Sequence, residues 1–269
     1  MSQAGGSGWR VWLSGASSGI GEAMARELAS RGARLALFAR RGDLLETLRS
    51  HLVAKHPSIE VLVEPGDVRD RVRVREAIAE AESRFGGIDV LILNAGTGDT
   101  MAAETFDIDV VERIVGVNFL GAVYSIGAAL PGMIARRSGT IVGISSIAGV
   151  RGFPGAAPYC SSKAALTTFL ESLRLDLWRT GIRVVTVTPG FIKTPLTDRN
   201  THPMPFLQTP ERAARIILRG IERGKRNVHF PKRLTIPLKI LSLFPGSIYD
   251  LLLSRVLPGG LRKKRSSEV

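Results

Sequence analysis

Tyr159 and Lys163 are the two residues of this sequence whose types and spacing point most directly to chemistry. They lie four positions apart in a segment with helical periodicity, so their side chains share one face of a helix. A free phenol has a pKa of about 10 and transfers protons slowly at neutral pH, and a neighbouring ammonium group lowers that pKa. The pair therefore predicts a proton donor or acceptor for an alcohol or carbonyl group. The alternative is a ring and a cation that only pair on a helix surface.

The segments around this pair alternate between short apolar runs and helical patterns, with no tight hairpin between them. Strands are predicted at residues 10–14, 35–39, 60–64, 90–93, 140–144 and 183–188. Helices are predicted at residues 20–31, 43–56, 71–85, 108–137, 158–180 and 211–223. The long fourth helix is expected to break between Asn118 and Gly121. This order favours an α/β fold, a single-domain Rossmann-type doubly wound parallel sheet with helices on both faces.

A glycine-rich turn, SGASSGIG, follows the first predicted strand and opens the first helix. Gly15, Gly19 and Gly21 would let backbone N–H groups approach a pyrophosphate, and the helix N-terminus adds positive potential there. Further candidate contacts in the same turn are Ser14, Ser17, Ser18 and Ile20. An ordinary glycine-rich loop is the alternative, but the order strand, turn and helix favours a dinucleotide site.

The end of the second predicted strand bears on which dinucleotide binds. NAD-binding chains place an acid there to hold the ribose 2′-OH. This sequence has Ala39, followed at once by Arg40 and Arg41. Two guanidinium groups suit a 2′-phosphate, so the pattern predicts NADP(H) as the cofactor. Arg40 is the stronger candidate, whereas Arg41 could equally point to solvent; the alternative for both is a solvated start to the next helix.

The glycine spacing G-x-x-x-G-x-G, the Y-x-x-x-K pair and an Asn94-Ala95-Gly96 segment together resemble the short-chain dehydrogenase/reductase family over about residues 10–195. Ser14 stands where that family usually has threonine, which keeps the hydroxyl. The resemblance implies an NADP(H)-dependent oxidoreductase that interconverts a carbonyl and an alcohol by hydride transfer. It weakens beyond Thr194, where substrate choice is usually set.

The resemblance also implies roles for further residues. Ser146, thirteen positions before Tyr159, would hydrogen-bond the substrate oxygen, and Ser145 would be structural. Asn118 would hold a water in a proton relay through Lys163, although a polar amide in an apolar helix could instead be structural. Lys163 would also hold the nicotinamide ribose, and Tyr159 would contact the cofactor. Cofactor contacts are implied at the ends of later strands, at Asp67, Val68, Asn94, Ala95, Gly96, Pro189, Gly190, Ile192 and Thr194.

The charge of the chain is uneven. The net charge is +13, and residues 225–269 hold ten Lys or Arg against two acids. We therefore predict a flexible N-terminus at 1–8, an oxidoreductase domain at 9–230 with a substrate loop at about 195–210, and a basic, apolar C-terminal extension at 231–269. Residues 234–257 are rich in apolar side chains and are flanked by basic residues, a pattern that indicates a peripheral membrane contact. A cover for the substrate loop or a subunit contact in a homo-oligomer is the alternative.

The cysteine content and the absence of several sequence signals limit the classes of protein to which this chain could belong. The one cysteine, Cys160, excludes an internal disulfide and favours a reduced, cytoplasmic setting. The sequence has no apolar secretory signal and no uncharged apolar run of spanning length. No aromatic–basic interleaving supports a specific nucleic-acid partner, and no metal is predicted. The predicted substrate is a small, hydrophobic ketone or aldehyde. A non-catalytic NADP(H)-binding regulatory protein is the rival function, and the intact Ser146, Tyr159 and Lys163 argue against it.

Overall fold

The computed structural model describes residues 8–200 and 203–256, so most of the predicted N-terminus and the end of the predicted C-terminal extension lie outside the described residues. The strands are β1 (Arg10–Ser14), β2 (Arg34–Ala39), β3 (Val61–Pro65), β4 (Val90–Leu93), β5 (Gly139–Ile144), β6 (Ile182–Pro189) and β7 (Asn227–Phe230). The helices are α1 (Gly19–Ala29), α2 (Gly42–Lys55), α3 (Arg71–Phe85), α4 (Ile108–Val115), α5 (Gly121–Arg136), α6 (Ala157–Asp176), α7 (Pro210–Glu222), α8 (Lys232–Leu241) and α9 (Gly246–Val256).

The strands form one sheet in the order β3-β2-β1-β4-β5-β6-β7. Each neighbouring pair is parallel, so the carboxyl ends of the strands meet at the same edge of the sheet. The strand order reverses between β1 and β4, and a crevice at such a reversal is where open α/β sheets bind ligands. The parallel sheet with flanking helices confirms the predicted Rossmann-type fold.

The core consists of two apolar layers, one on each face of the sheet. Val11 and Leu13 of β1 pack in the layer that holds residues of α1, α2 and α7, whereas Trp12 packs in the layer that holds residues of α3, α5 and α6. Successive side chains of a strand point to opposite faces, so a strand covered on both faces must be apolar throughout. This is why the strands were visible in the sequence as continuous apolar runs.

The predicted break between Asn118 and Gly121 is wrong. The chain remains helical from α4 to α5 through one turn of π-helix, Gly116–Leu120, in which Gly121 N–H donates to Gly116 O. Asn118 is buried at the middle of this turn. A Cβ on Gly121 would lie 2.7 Å from Cβ of Val68, so that glycine permits close packing instead of ending the helix. A wider turn of this kind occurs often at functional sites.

The helical region Ile108–Arg136 is long and apolar enough to cross a membrane by length and composition alone, a test that core helices also pass. Its α5 segment buries Ala122, Ile126, Ala129 and Met133 in the layer beneath the sheet. This region therefore packs as a core helix of the α/β domain.

The seventh strand was not predicted, because the alternation of strands and helices could not be followed beyond residue 227. Residues of β7 pair with Thr186–Pro189 of β6 and form the edge of the sheet. The strand has only four residues, and Asn227 and His229 interrupt its apolar pattern. After it, within the predicted C-terminal extension, α8 packs against β7, and α9 contacts the segment that follows β5 through Tyr249 and Gly152.

Candidate active site

A cleft at the carboxyl edge of the sheet begins with the glycine-rich turn between β1 and α1. Gly15 has a positive φ of 68°, and a Cβ on it would lie 2.8 Å from Ala95 Cα. A Cβ on Gly21 would lie 2.1 Å from the carbonyl oxygen of Gly15. No larger residue fits either position without moving backbone, so the turn must be built from glycine. It holds the N-terminus of α1 against the cleft, the arrangement that backbone uses to bind phosphate.

Ser14 and Asn94 fix this turn to the end of β4. The Ser14 hydroxyl accepts hydrogen bonds from the backbone N–H groups of Asn94 and Ala95, both at 3.1 Å. The Asn94 amide nitrogen donates to the carbonyl oxygens of Ser14 and Gly15, at 3.2 and 3.1 Å. Ser14 is buried and does not line the cleft, so its hydroxyl shapes the site from behind.

Arg40 and Arg41 both line the cleft, just beyond the carboxyl end of β2. Nη2 of Arg41 donates to the hydroxyl oxygens of Ser17 and Ser18, at 3.0 and 2.8 Å. Arg41 is therefore drawn over the glycine-rich turn, although its side chain stays exposed. Both guanidinium groups stand where an anion bound beside this turn would meet them.

Asp67 lies at the end of β3 and also lines the cleft. Burial raises the pKa of its carboxyl, but hydrogen bonds from the side chain and backbone of Arg69 outweigh burial and leave that pKa below its ordinary value. The shortest of these contacts joins Arg69 Nη2 to Asp67 Oδ2 at 2.7 Å. Asp67 is thus a charged acceptor with a fixed orientation, next to Val68 on the cleft wall.

Tyr159 stands at the start of α6, with Ser146 opposite it at the end of β5, and both line the cleft. Burial raises the pKa of the Tyr159 hydroxyl, and its hydrogen bond with Ser146 acts in the opposite direction. The Ser146 oxygen also accepts from the backbone N–H of Ala148, at 3.1 Å, which fixes the serine rotamer. The phenol is therefore neutral at physiological pH, which is the form that donates a proton.

Lys163 does not lower the pKa of the phenol as the spacing had led us to expect. Its Nζ donates to the carbonyl oxygen of Ile144 at 2.8 Å and lies 5.9 Å from the centre of the Tyr159 ring. The side chain is buried, and burial lowers the pKa of Lys163 from 10.5 to about 8. A backbone carbonyl thus holds the ammonium group, and burial of Tyr159 is the main cause of its raised pKa.

Both the oxygen and the nitrogen of the Asn118 side-chain amide form hydrogen bonds with other residues of the protein. Its Oδ1 accepts from Thr97 N–H at 2.8 Å, and its Nδ2 donates to Thr97 O and to the Ser162 hydroxyl, each at 2.9 Å. The residue is 1% exposed and does not line the cleft. These contacts join the π-helical turn, the segment after β4 and α6, and the role of Asn118 in a proton relay stays a prediction.

The end of β6 closes the far side of the cleft. Gly190 N–H donates to Phe230 O at 2.7 Å, so this segment is held by β7. A Cβ on Gly19 would lie 2.9 Å from Cγ2 of Thr194, so Thr194 reaches across to the glycine-rich turn. Ile192 pairs with Gln208 in an isolated bridge that ties down the loop after β6.

Most of the predicted residues come together in this one cleft. They are Gly15, Ser17, Ser18, Gly19, Ile20, Arg40, Arg41, Asp67, Val68, Asn94, Ala95, Gly96, Ser146, Tyr159, Lys163, Pro189, Gly190, Ile192 and Thr194. Ser14, Gly21 and Asn118 lie behind its wall. Pro195, Leu196 and Thr197, at the start of the predicted substrate loop, also line the cleft. Lining residues that the sequence analysis did not predict as site residues are Ala39, Gly66, Thr97, Val117, Ile144 and Ser145. Several of these are direct neighbours of predicted residues at strand ends, so position at the carboxyl edge was the available signal.

Two further groups bear on the chemistry of this region. Cys160 is a free thiol beside Tyr159, is 5% exposed, and has its pKa raised by burial. Ser145 donates its hydroxyl to Lys163 O at 3.0 Å and stands 2.7 Å from the hydroxyl oxygen of Thr167, which braces β5 against α6. Within residues 8–200 and 203–256, no group of three His, Cys, Asp or Glu side chains could hold a metal ion.

Comparisons with known proteins agree with this geometry. An uncharacterized oxidoreductase of Myxococcus xanthus is 40% identical over 238 residues, which is 88% of this chain and 93% of that protein. An alcohol dehydrogenase from the archaeon Thermococcus sibiricus, complexed with 5-hydroxy-NADP, superposes with a TM-score of 0.74 at 26% identity, covering 82% of this chain and 94% of that one. A short chain dehydrogenase/reductase from Burkholderia phymatum in complex with NAD has the same fold, with a TM-score of 0.80, 22% identity, and coverage of 87% of this chain and 92% of that one.

The sequence also matches the model of a protein family. Residues 10–204 match the family described as short chain dehydrogenase. The matched range runs from β1 past β6 and contains the glycine-rich turn, Ser146, Tyr159 and Lys163. The chain therefore belongs to the short-chain dehydrogenase/reductase family and is an oxidoreductase of that type.

Proposed function

We propose that this protein is an NADP(H)-dependent oxidoreductase that interconverts a carbonyl and an alcohol, and that it chiefly reduces an apolar ketone or aldehyde. One observation carries the proposal: a neutral Tyr159 hydroxyl and Ser146 line the same cleft as the glycine-rich turn, with Lys163 beside them. A proton donor is thereby placed within the cleft that suits a dinucleotide. A protein that only sensed the dinucleotide would not need this donor.

The residues of the cleft divide the reaction between them. The Ser146 hydroxyl, whose rotamer is fixed by Ala148 N–H, hydrogen-bonds the carbonyl oxygen of the substrate and orients it. NADPH, which the glycine-rich turn, Arg40 and Arg41 would hold, would supply a hydride to a carbonyl substrate. Tyr159 gives its proton to the same oxygen, so that an alcohol forms and the phenol becomes a phenolate until solvent returns the proton. Lys163 stabilises that transient phenolate and would hold the nicotinamide ribose of the cofactor.

The fit of the cleft to NADP(H) rests on three features. The glycine-rich turn presents the N-terminus of α1 to a pyrophosphate. The side chain at the end of β2 is Ala39, so no carboxylate stands there to repel a phosphate. Arg40 and Arg41 line the cleft beside that point, and they supply positive charge and hydrogen-bond donors to a 2′-phosphate.

The preference for an apolar substrate is supported by the side chains around the catalytic groups. Val117, Ile144, Ile192 and Leu196 all line the cleft. A Cβ on Gly98 would lie 3.3 Å from the Tyr159 ring and 3.5 Å from Leu196, so this leucine stands close to the catalytic phenol. An apolar group attached to the carbonyl would bury surface against such a wall. We also propose a cytoplasmic location, because the single cysteine needs no oxidising environment.

A screen of carbonyl compounds tests the activity itself. We expect the purified chain to oxidise NADPH in the presence of apolar ketones or aldehydes, and to do so more slowly with NADH. Loss of cofactor absorbance over time is the measurement. Tight NADPH binding without turnover on any member of a broad aliphatic and aromatic panel would instead indicate the regulatory alternative.

Replacement of Arg40 or Arg41 by alanine tests the cofactor preference. A hydrogen bond to a charged group contributes about 1.5–3 kcal/mol, so each variant should raise the KM for NADPH roughly 10- to 100-fold. The KM for NADH should stay within about twofold, because NADH has no 2′-phosphate for the lost guanidinium to bind. Arg49→Ala is the matched control, since this arginine of α2 is exposed and pairs with Glu46. Equal weakening toward both cofactors would contradict the assignment.

A further inference from the structure

The outer sides of α8 and α9, with the turn between them, expose a set of aliphatic side chains. We name this set the α8–α9 platform, and it consists of Ile236, Ile240, Leu243, Ile248 and Leu252. Their exposed fractions run from 40% for Leu252 to 82% for Leu243. Ile236 and Ile240 lie four positions apart in α8, and Ile248 and Leu252 lie four positions apart in α9, so each pair shares one face of its helix. Leu243 lies in the turn that follows α8. Contiguous exposed apolar surface of this kind marks an interaction site.

The platform is held in place by polar contacts on its inner side. Lys239 Nζ of α8 lies 2.7 Å from His229 Nε2 of β7. The Tyr249 hydroxyl of α9 donates to Gly152 O at 2.8 Å, and the Arg151 guanidinium lies 4.7 Å from the centre of the Tyr249 ring. Both helices are therefore fixed to the α/β domain, and the aliphatic side chains face outward because the opposite sides are already engaged.

The charges around the platform select its partner. Lys232 and Arg233 are exposed at the start of α8, one turn before the first aliphatic residue, and Asp250 is the acid of α9. The sequence continues in Arg262–Arg265, RKKR, which lies outside the described residues. A lipid surface with anionic headgroups satisfies both the exposed aliphatic side chains and the exposed bases Lys232 and Arg233.

We propose that the α8–α9 platform docks on an anionic membrane surface, with its aliphatic side chains at the level of the upper acyl chains. Docking on the membrane does not depend on the proposed reaction. The benefit of docking, which is access to substrate in the bilayer, rests on the proposed function. Arg151 and Gly152, which anchor α9, belong to the segment that joins Ser146 to Tyr159. Docking therefore brings the catalytic cleft close to apolar carbonyl compounds dissolved in the bilayer.

Sedimentation with vesicles tests the aliphatic part of the platform. We expect the full chain to sediment with phosphatidylcholine vesicles that contain about one-third phosphatidylserine, and much less with pure phosphatidylcholine. The double variant Ile240→Asp, Leu243→Asp should lower the partition constant at least tenfold, by a rough estimate from the apolar burial lost. Val72→Asp is the matched control, because Val72 is 54% exposed on α3, which packs on β1 and β2 away from β7.

A second pair of variants tests the basic part. Lys232→Ala with Arg233→Ala should weaken binding to the anionic vesicles roughly 30-fold and leave binding to neutral vesicles nearly unchanged. All variants should retain turnover of a water-soluble carbonyl compound, so loss of docking is separable from failure of the proposed reaction. Absence of vesicle binding by the full chain at low salt overturns the proposal. So does a dimer in solution that the double aspartate variant converts to monomer without any effect on lipid binding.

Discussion

Tyr159→Phe is expected to lower kcat by about 10²- to 10⁴-fold, the range that general acid catalysis contributes. The substitution removes the hydroxyl that donates the proton and keeps the ring that fills the space beside Gly98 and Leu196. NADPH binding should change little, because the glycine-rich turn and the arginines that we assign to the cofactor are untouched. Steady-state kinetics together with a fluorescence titration of NADPH measures both quantities.

Tyr124→Phe provides the matched control for this prediction. Tyr124 lies on α5, packs against the apolar layer beneath the sheet and does not line the cleft. The same atom is removed, so a comparable loss of kcat in both variants would point to general damage. Near-normal turnover by Tyr159→Phe with intact NADPH binding would disprove the assigned proton donor.

Lys163→Met is expected to abolish most activity and yet stabilise the cofactor-free protein. Burial lowers the pKa of Lys163 from 10.5 to about 8, so the folded state carries its charge at a cost of roughly 3 kcal/mol at neutral pH. Loss of the hydrogen bond to Ile144 O offsets roughly 1–2 kcal/mol of this. We therefore expect a gain of about 1–2 kcal/mol in the free energy of unfolding, and a fall in kcat of at least roughly 100-fold.

The pH dependence of this gain follows from the direction of the pKa shift. Between about pH 8 and 10.5, the unfolded chain keeps the proton of Lys163 and the folded chain has lost it, so wild-type stability rises with pH. The advantage of the methionine variant should be constant below pH 8 and shrink above it. Urea denaturation at several pH values measures this, with Lys55→Met, an exposed lysine at the end of α2, as control. A variant less stable than the wild type at pH 7 would contradict the assigned cost of burial.

The fold could be predicted to a large extent because its strands are covered on both faces. β1, β2, β4 and β5 are largely apolar runs, and β3 and β6 are rich in valine, so their local pattern needs no knowledge of distant neighbours. The exception, β7, pairs at the sheet edge through four residues, and its Asn227 and His229 break the run. Its place is set by pairing with β6 and by the helices that follow, which a local pattern does not contain.

The candidate site could be located from the sequence, but the state of its side chains could not. Position after a strand identified Tyr159, Ser146 and the glycine-rich turn, because parallel strands end at one edge. The direction of Arg41 depends on two serine hydroxyls 23 and 24 residues away. The raised pKa of Tyr159 depends on burial by many parts of the chain. The sequence spacing between two residues predicts neither the direction of the Arg41 side chain nor the pKa of Tyr159.

Because Cys160 is buried and is the single cysteine of the sequence, its reactivity can measure local opening of the protein. A protonated, enclosed thiol reacts with alkylating reagents only when the segment around it opens, since the thiolate is the nucleophile. No other sulfhydryl exists in the chain to confuse the signal. The alkylation rate of the unmodified protein therefore measures how often the first turn of α6 opens. A ligand that stabilises this turn will lower the alkylation rate.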